Sequence, residues 1–545
     1  MASIADRSVA SGWVVLGALG IGGGVYLRAT QLSIQILLDD EWHAIHKLLH
    51  ADAAGIATSF GVADYSIPLT LYYRFLALHG GLSEWQMHVP MLLAGVALLV
   101  VAPWLLRRLV APAVLATWVL LIALSPLLVY LSRTARPYAL TCLLTFVAIV
   151  AFRNWWRGAP HAKFWGCAYG VSAVVAGWLH LITLPFTLLP FAYYGVRALA
   201  SMEPDARRGA AVTRLVAMGT AIALPLAAVL VPPMVGSAGQ LTQKAATDSV
   251  TLASLYRTAL MLFGTGSPWV LVPCTALCVA GVLRLRRRDE PFVAYVAFVC
   301  IGAAIAIALA GPQWIQHPLV FARYLLPALP FLLLFTAEGA VALVGCFRSR
   351  VAAPIVALGG AALFVTGPIP AYLYAPNQFM GHARFQFDYD PAHNPYVLEI
   401  PREPIPAFYR DLAQRPARSI TLIEAPWSLV SNFDPHVWYQ QVHRQYVRIG
   451  LVTPVCGVRD FGEFPATTSM LRFSQFVHLS QILAGQTYGA DYLVLHPKPW
   501  KTPPDAQIDW PDVAACLPTI EARLGAPAYR DDTIVVFDLR RRHAH

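Results

Sequence analysis

The strongest constraint in the sequence is a succession of apolar runs, each close to the length of a membrane-spanning helix. About 20 apolar residues cover the hydrocarbon core of a bilayer. The chain is 57% hydrophobic and 13% charged, whereas soluble domains carry about 25% charged residues. Eleven candidate spans lie near residues 11–28, 88–106, 109–131, 138–152, 164–180, 182–197, 211–232, 261–283, 291–311, 324–345 and 352–373. This pattern predicts a mainly α polytopic membrane protein.

The basic residues between these runs predict the orientation of the chain. Cytoplasmic loops of membrane proteins carry an excess of Lys and Arg. If Arg7 is cytoplasmic, the strongly basic loops all fall on the same side, and they lie at 107–108, 153–163, 197–214, 284–288 and 348–350. We therefore expect a multi-pass protein of a bacterial inner (cytoplasmic) membrane with a cytoplasmic N-terminus. No small-residue cleavage pattern follows the first run before Asp39, so we expect that run to remain as the first helix.

The net charge of +10 is explained by the same loops. In a soluble protein such a basic balance would raise nucleic acid as a partner. Here the positive charges lie mostly in short loops between apolar runs, where the positive-inside rule accounts for them. We expect the lipid bilayer as a partner, and no nucleic acid.

The last part of the chain has the composition of a soluble domain. Strand patterns near 419–424, 446–451, 492–496 and 533–539 alternate with helix patterns near 407–414, 481–488 and 513–524. We expect a transmembrane domain over 1–373, with a first external loop at about 29–87, and an extracytoplasmic α/β domain over 374–545. Cys456 and Cys516 lie in the second domain, where an oxidising compartment would permit a disulfide. The sequence leaves their pairing open.

Three adjacent carboxylates follow the first apolar run. Asp39, Asp40 and Glu41 stand in the segment LLDDEW, at the predicted membrane surface. A solvated helix end would explain them without any function. Carboxylates in this position also suit proton abstraction or cation binding. The residues alone leave both interpretations open.

Three histidines follow the acidic residues at helical spacing, and they are His43, His46 and His50. With Asp40, His43 could bind a divalent metal. An amphipathic helix at the membrane surface explains the histidines equally well. No cofactor is therefore certain, and a divalent metal stays open.

Arginines also occur on the predicted outer side, against the general trend. Arg133 and Arg136 lie in the segment SRTARPYAL, and Arg323 lies beside Tyr324 in the segment ARYLLPALP. Guanidinium groups in these places suit an anion that is held at the membrane face. The alternative is headgroup binding or snorkelling of long side chains.

Four sequence elements, in this order, resemble the GT-C superfamily of membrane glycosyltransferases. They are the Asp-Glu pair after the first span, a Pro-Leu-x-x-Tyr element that begins at Pro68, the segment ARPYAL and the segment ARYLLPALP. The resemblance covers roughly residues 10–345 and is greatest to glycosyltransferase family 39 in the broad sense, which contains protein mannosyltransferases and the aminoarabinose transferase of lipid A. It implies an inverting transfer of a sugar from a polyprenyl-phosphate donor to an acceptor hydroxyl at the outer face of the cytoplasmic membrane.

The resemblance also implies roles for particular residues. Asp40 would be the catalytic base, and Glu41 would orient or bind the acceptor. Contacts with the donor phosphate or sugar would come from Arg133, Arg136, Tyr138, His180, Arg323 and Tyr324. Acceptor or loop contacts would come from Asp39, Asp64, Tyr65 and Pro68. Asp39 is extra relative to the family pattern, Ser66-Ile67-Pro68-Leu69 departs from the usual two prolines before Leu, and a structural role for His180 stays open. The sugar and the envelope acceptor, whether protein, lipid or glycan, are not assigned.

Three other functions fit a chain with many spans. A transporter or flippase of a lipid-linked saccharide usually places ionisable residues within its spans, whereas the only conspicuous acid in these runs is Glu338. A ligase or polymerase of lipid-linked glycans typically carries its large external loop late in the membrane domain, whereas the acidic loop of this chain follows the first span. The third alternative is a receptor or assembly factor whose soluble domain is the working part.

Overall fold

The chain folds into two compact units in the computed structural model. The helical unit comprises Met1–Thr30, Ala57–Leu69 and Pro90–Pro370. The α/β unit comprises Gln31–Ile56, Thr70–Val89 and Ala371–His545. The structure describes residues 4–37, 39–61, 65–200, 205–345, 349–369, 404–427, 436–457, 471–498 and 512–540. The predicted domain boundary at 373–374 lies outside the described residues.

Helices dominate the described part of the chain up to residue 369. Helices α1–α9 are Ile4–Ala29, Trp42–His50, Ala53–Ala57, Ile67–His79, Glu84–Leu106, Pro112–Leu124, Pro126–Leu131, Tyr138–Trp156 and Ala162–Leu179. Helices α10–α18 are Leu184–Ala200, Asp205–Gly236, Ala238–Lys244, Leu252–Phe263, Pro268–Arg286, Glu290–Ala310, Pro318–Tyr324, Leu329–Val344 and Ser349–Thr366.

Several of these helices are suited to a lipid environment. Within the described residues, seven segments are long and apolar enough to cross a membrane, and they are Ser11–Ala29, Glu84–Leu106, Tyr138–Trp156, Arg208–Gly236, Pro268–Arg286, Glu290–Ala310 and Leu326–Val344. Shorter apolar helices are Pro112–Leu124, Leu252–Phe263 and Val351–Thr366. Large apolar side chains such as Leu19, Trp269 and Leu309 are exposed on the protein surface, where lipid would cover them. The predicted mainly α, multi-pass membrane protein is confirmed.

Two of the predicted spans are interrupted. The run 109–131 divides into α6 and α7 at Ser125, whose backbone is extended with φ −66° and ψ 114°. Pro126 causes this break, because a proline disfavours the helical conformation of the residue before it. The run 261–283 divides where Gly264, with φ 72°, ends α13. The run 109–131 is almost entirely apolar, so its hydropathy does not show the break, whereas residues 264–268 of the second run read Gly-Thr-Gly-Ser-Pro.

Helices α14 and α17 pack at short range through two glycines. A Cβ atom on Gly281 would collide with the backbone carbonyl of Phe335, and one on Gly339 would collide with the carbonyl of Leu277. Small residues allow the backbones of membrane helices to approach this closely.

Gly281→Ala is therefore expected to destabilise the helical unit. The added methyl group meets backbone rather than a flexible side chain, and overpacking of this kind costs about 1–3 kcal/mol. Thermal unfolding of the purified protein in detergent should show a lower Tm. Gly22→Ala in α1 is the matched control, because a Cβ there meets no heavy atom within 4 Å. An unchanged Tm in Gly281→Ala would contradict close helix packing at this position.

The C-terminal part of the α/β unit contains a six-stranded sheet. Strands β1–β6 are Thr421–Ala425, Tyr446–Leu451, Phe476–His478, Tyr492–Leu495, Tyr529–Arg530 and Val535–Asp538. Helices α19–α22 are Ala407–Ala413, His436–His443, Leu479–Leu483 and Val513–Leu524. The strand order is β3-β2-β1-β4-β6-β5, in which β3, β2, β1 and β4 are parallel and β6 is antiparallel to β4 and β5. The predicted α/β architecture is confirmed, although β3 and β5 are too short to show in the sequence pattern.

Apolar side chains cover both faces of this sheet. Ile423 and Leu493 belong to one core, and Leu422 and Val494 belong to the other, as the alternation of side chains along a strand requires. Cys456 and Cys516 form a disulfide beside the first core, with Cα atoms 5.1 Å apart, within the usual range for such bonds. The pairing that the sequence left open is thus made in the structure.

Candidate functional site

Five polar and aromatic side chains from three segments converge in the helical unit. Tyr138 begins α8, His180 follows the last residue of α9, and Arg323 and Tyr324 end α16. Arg136 lies in the turn before α8. Each residue stands at or next to a helix end, where the chain changes direction. We call these five residues the arginine–tyrosine cluster.

The rings of this cluster are in contact. The ring centroid of His180 lies 5.5 Å from that of Tyr138 and 5.9 Å from that of Tyr324. The guanidinium carbon of Arg323 lies 5.2 Å from the centroid of Tyr138 and 5.6 Å from that of Tyr324. The guanidinium carbon of Arg136 lies 6.0 Å from the centroid of Tyr138. These separations are typical of aromatic pairs and cation–π interactions. The structure therefore brings together five of the six residues that the sequence predicted for donor contacts.

The arrangement concentrates positive charge on a partly buried surface. Two guanidinium groups share the ring of Tyr138, and an arginine keeps its charge at any physiological pH. Arg136 and Tyr138 are buried, with 8% and 2% of their surface exposed. Attraction between an arginine and an anion is stronger there than in bulk water, because the local dielectric constant is lower. The planar guanidinium fork also matches the oxygen geometry of phosphate. The cluster thus has the charge and the geometry that binding of a phosphate group would require.

The segment around Tyr65 is hydrogen-bonded to the end of α9, next to His180. The hydroxyl of Ser66 donates a hydrogen bond to the carbonyl oxygen of Leu179, at 3.0 Å. The hydroxyl of Tyr65 donates to the carbonyl of Ser59. Pro68 is the second residue of α4, a position where a proline is well tolerated. Asp64, which was predicted with this segment, lies outside the described residues.

Arg133 is held at the end of α1 rather than in the cluster. One terminal nitrogen of its guanidinium group lies 3.0 Å from the carbonyl oxygen of Arg28 and 2.6 Å from that of Thr30. Carbonyls at the end of a helix lack intrahelical partners, so these hydrogen bonds stabilise the end of α1. The contacts give Arg133 a structural role, and a direct contact with the donor stays a prediction.

Arg28 is a buried residue that the sequence pattern does not single out. It is completely buried, and its guanidinium group donates to the carbonyl oxygens of Ile122, at 3.0 Å, and Ala123, at 3.3 Å. These carbonyls lie in the last turn of α6, just before the break at Ser125. The only sequence signal was a basic residue at the end of an apolar run, which is typical of a snorkelling side chain.

Glu338, the acid within a predicted span, is paired with arginines of a basic loop. Its carboxylate lies 3.1 Å from Nε of Arg284 and 3.3 Å from a terminal nitrogen of Arg288. Glu338 is 1% exposed, and a buried carboxylate is costly unless a cation compensates its charge. The pairing gives Glu338 a structural explanation, so this acid is not evidence for a transporter.

Asp39, Asp40 and Glu41, here called the acidic motif, form a short 3-10 turn in the α/β unit, and Asp40 and Glu41 differ in burial. Glu41 and His88 have completely buried side chains, and a carboxylate oxygen of Glu41 lies 2.9 Å from Nε2 of His88. The side chain of Asp40 is 16% exposed, with a carboxylate oxygen 4.0 Å from Nδ1 of His43. The backbone of Asp39 lies in the same short 3-10 turn, and its side chain lies outside the described part. Asp40 is thus more accessible than Glu41. His88 was missed because it begins an apolar run.

The helix after the acidic motif is amphipathic. Trp42, Ile45 and Leu48 are buried on one side of α2. On the other side the rings of His46 and His50 lie 4.4 Å apart, and Nδ1 of His50 lies 2.7 Å from the carbonyl oxygen of His46. This contact accounts for both histidines without a metal, whereas a metal at Asp40 and His43 stays a prediction.

No protein-family model matches the sequence, and no curated protein matches it. Among solved structures, the chain is similar to ArnT from Cupriavidus metallidurans in the apo state, with a TM-score of 0.45 and 12% identity over 97% of this chain and 98% of that chain. It is also similar to ArnT from Cupriavidus metallidurans bound to undecaprenyl phosphate, with a TM-score of 0.43 and 12% identity over 97% and 98% of the two chains. Similarity at this level leaves the activity to be argued from the residues of this chain.

Proposed function

We propose that the chain is an inverting membrane glycosyltransferase that moves a sugar from a polyprenyl-phosphate donor to an acceptor hydroxyl. The arginine–tyrosine cluster is the observation that carries this proposal. It joins two permanently charged guanidinium groups to aromatic rings in a unit built of membrane-type helices. A ligand with a phosphate head and an apolar tail matches both properties of this unit.

The reaction explains why cationic groups are needed. The acceptor oxygen attacks C1 of the sugar, the bond from C1 to the phosphate oxygen breaks, and polyprenyl phosphate leaves with the bonding electrons. Negative charge on the phosphate therefore grows in the transition state. Guanidinium groups that are already in place stabilise this charge without reorganisation at the moment of reaction. We assign this role to Arg136 and Arg323, with Tyr138, His180 and Tyr324 holding them and contacting the sugar.

The acceptor hydroxyl must lose its proton as it attacks C1. A carboxylate within hydrogen-bond reach is the usual group for that step. We assign to Asp40 the role of accepting this proton, because its side chain is partly exposed, whereas Glu41 is buried against His88. Glu41 then acts as a positioning residue that holds the short 3-10 turn. The acceptor is a hydroxyl of an envelope component, whether protein, lipid or glycan.

The distribution of charge supports a location in a bacterial inner membrane. The basic loops at 107–108, 153–163 and 284–288 would face the cytoplasm, and the N-terminus would lie on the same side. The acidic motif and the arginine–tyrosine cluster would then act at the outer face, where the acceptor is found.

The proposal can be tested in liposomes that contain the purified protein and a panel of radiolabelled polyprenyl-phosphate sugars. An envelope extract serves as the source of acceptor. We expect loss of sugar from at least one carrier and its appearance on a product with inverted anomeric configuration. If every donor stays intact while the protein moves a labelled carrier lipid across the bilayer, the chain is a transporter and the proposal fails. A product of lengthened lipid-linked glycan would instead identify a polymerase.

A further inference from the structure

Three ligating side chains converge in the C-terminal part of the α/β unit. Glu424 lies in β1, His436 begins α20 and His496 directly follows β4. Each can offer one ligand atom, and these atoms all lie within 4.8 Å of one another. Nε2 of His496 lies 2.8 Å and Nδ1 of His436 lies 3.7 Å from the same carboxylate oxygen of Glu424. The three side chains are at most 1% exposed.

The hydroxyl of Tyr409 completes a compact group of four. It lies 2.8 Å from both carboxylate oxygens of Glu424 and 3.5 Å from Nε2 of His496. Ligands of a tetrahedral zinc ion, bound at about 2.0 Å, are themselves separated by roughly 3.3 Å. The observed separations are 2.8 Å from Tyr409 to Glu424, 3.5 Å from Tyr409 to His496 and 3.7 Å from His436 to Glu424. They lie on both sides of that value. Small side-chain adjustments would therefore place these groups around one ion.

The position of the group in the sheet also points to a ligand. The chain passes from β1 to β2 and β3 on one side of β1, whereas β4 pairs with its other side. Ligands of open α/β sheets bind outside the carboxyl ends of the strands at such a topological switch point. Glu424 is the second-last residue of β1, and the backbone N–H of His496 donates to the carbonyl of Ala425, at 2.9 Å. The carboxylate and the imidazole thus stand together where the two parallel strands end.

The burial of Glu424 is a further reason to expect a cation. Its side chain is 1% exposed, and a buried carboxylate is costly unless its charge is compensated. A cation held between Glu424 and the two imidazoles would offset that cost.

We propose that Glu424, His436 and His496 bind a zinc ion, with Tyr409 as the fourth group at the site. The ligand set of two imidazoles and one carboxylate is common to zinc and non-haem iron sites. Iron sites of this kind keep open coordination positions for reaction, whereas this group is closed to solvent. Tyr409 would occupy the fourth position that catalytic zinc sites leave to water, so the zinc site proposed here would be a closed one.

The zinc site would stabilise the part of the α/β unit that carries the acidic motif. The ring of Trp427 stacks on His436, with centroids 4.1 Å apart and an interplanar angle of 14°. Trp42 packs against Trp427 at 5.9 Å, and both tryptophans are buried. Trp42 directly follows Glu41 in the chain. An ion that fixes the imidazole of His436 would therefore hold the tryptophan pair and, through it, the start of α2.

Metal analysis of the full-length protein tests the proposal. The protein would carry an affinity tag without histidine and be purified without chelators, and its metals would be measured by inductively coupled plasma mass spectrometry. We expect about one zinc per chain in the wild type and less than about one tenth of that in His436→Ala/His496→Ala. His43→Ala is the control, and it should keep the wild-type zinc content, because His43 lies in α2 and is not one of the proposed ligands. Loss of zinc from His43→Ala but not from the double variant would move the metal to the acidic motif and overturn the proposal.

A spectroscopic measurement covers the case in which the double variant does not fold. Wild-type protein grown with cobalt in place of zinc should show the visible absorption of a tetrahedral cobalt(II) ion, and Glu424→Gln should alter its intensity and position. A wild type that binds neither ion in stoichiometric amount would show that Tyr409, Glu424 and the two histidines form a metal-free hydrogen-bonded network. Stoichiometric iron in place of zinc would overturn the closed zinc site.

Discussion

Asp40→Asn is expected to lower the turnover number of sugar transfer by at least about 10²-fold, the scale of losing a general base. Asparagine keeps the size of the side chain but cannot accept the proton of the acceptor hydroxyl. Donor affinity should be unchanged, because the carboxylate acts on the acceptor, and the loss should therefore fall on kcat. Initial rates of sugar loss from the labelled carrier, measured over a range of donor concentrations, separate the two quantities.

Asp52→Asn is the matched control for this variant. A carboxylate oxygen of Asp52 accepts a hydrogen bond from the backbone N–H of Gly55, at 2.7 Å, and an asparagine side chain can accept the same bond. We expect wild-type turnover in this control. Full turnover in Asp40→Asn, or an equal loss in both variants, would show that Asp40 is not the base. In that event Glu41→Gln would be the next variant to measure, because Glu41 is the adjacent carboxylate.

The membrane architecture could be predicted largely from the sequence. Bilayer thickness sets a length for apolar runs, and the basic loops add an independent signal, so the mainly α fold follows from composition and order. The interruptions were harder to foresee. Pro126 lies inside an apolar run, and other apolar helices tolerate a proline, for example Pro90 within α5. Only the packed structure therefore shows which proline interrupts a helix. Short strands such as β5, with two residues, carry too little pattern to recognise.

The residues of the arginine–tyrosine cluster could be recognised from the sequence, whereas the contacts between them could not. Arg136 and Tyr138 lie in one short segment, and Arg323 and Tyr324 lie in another, so both segments could be recognised. Nothing in sequence spacing shows that the two segments meet, and the structure supplies that contact through Tyr138. Arg133 shows the opposite case, because charge alone could not distinguish an arginine that binds an anion from one that stabilises a helix end.

The proposed zinc ligands had no sequence signal at all. Glu424, His436 and His496 come from a strand, a helix and the end of another strand, and they do not form a spaced motif. The parallel sheet brings them together because it places the carboxyl ends of β1 and β4 side by side. Such a site becomes visible only when strand order and register are known. The sequence indicates a possible metal site only beside Asp40, where acids and histidines are close in the chain.

Arg323→Gln is expected to lower kcat/KM for the donor by about 10²-fold, the usual effect of removing one group that stabilises developing charge. Glutamine keeps hydrogen-bonding capacity but removes the positive charge that meets the phosphate. Arg323→Lys should recover only part of the activity, because an ammonium group lacks the planar fork that binds two phosphate oxygens. Arg286→Gln is the control, since Arg286 is exposed and paired with Glu290, at 3.0 Å, and it should keep wild-type kinetics.

The combination of Arg136→Gln with Arg323→Gln decides whether the two arginines act on one phosphate. Both guanidinium groups lie against Tyr138, so a single anion bound there would feel both charges. Residues that share a partner are not additive, and a coupling energy of about 0.5–3 kcal/mol is expected between them. The fold-loss of kcat/KM in the double variant should therefore differ clearly from the product of the fold-losses in the two single variants. Strict multiplicativity would mean that Arg136 and Arg323 act independently, and the cluster would then not be a single phosphate site.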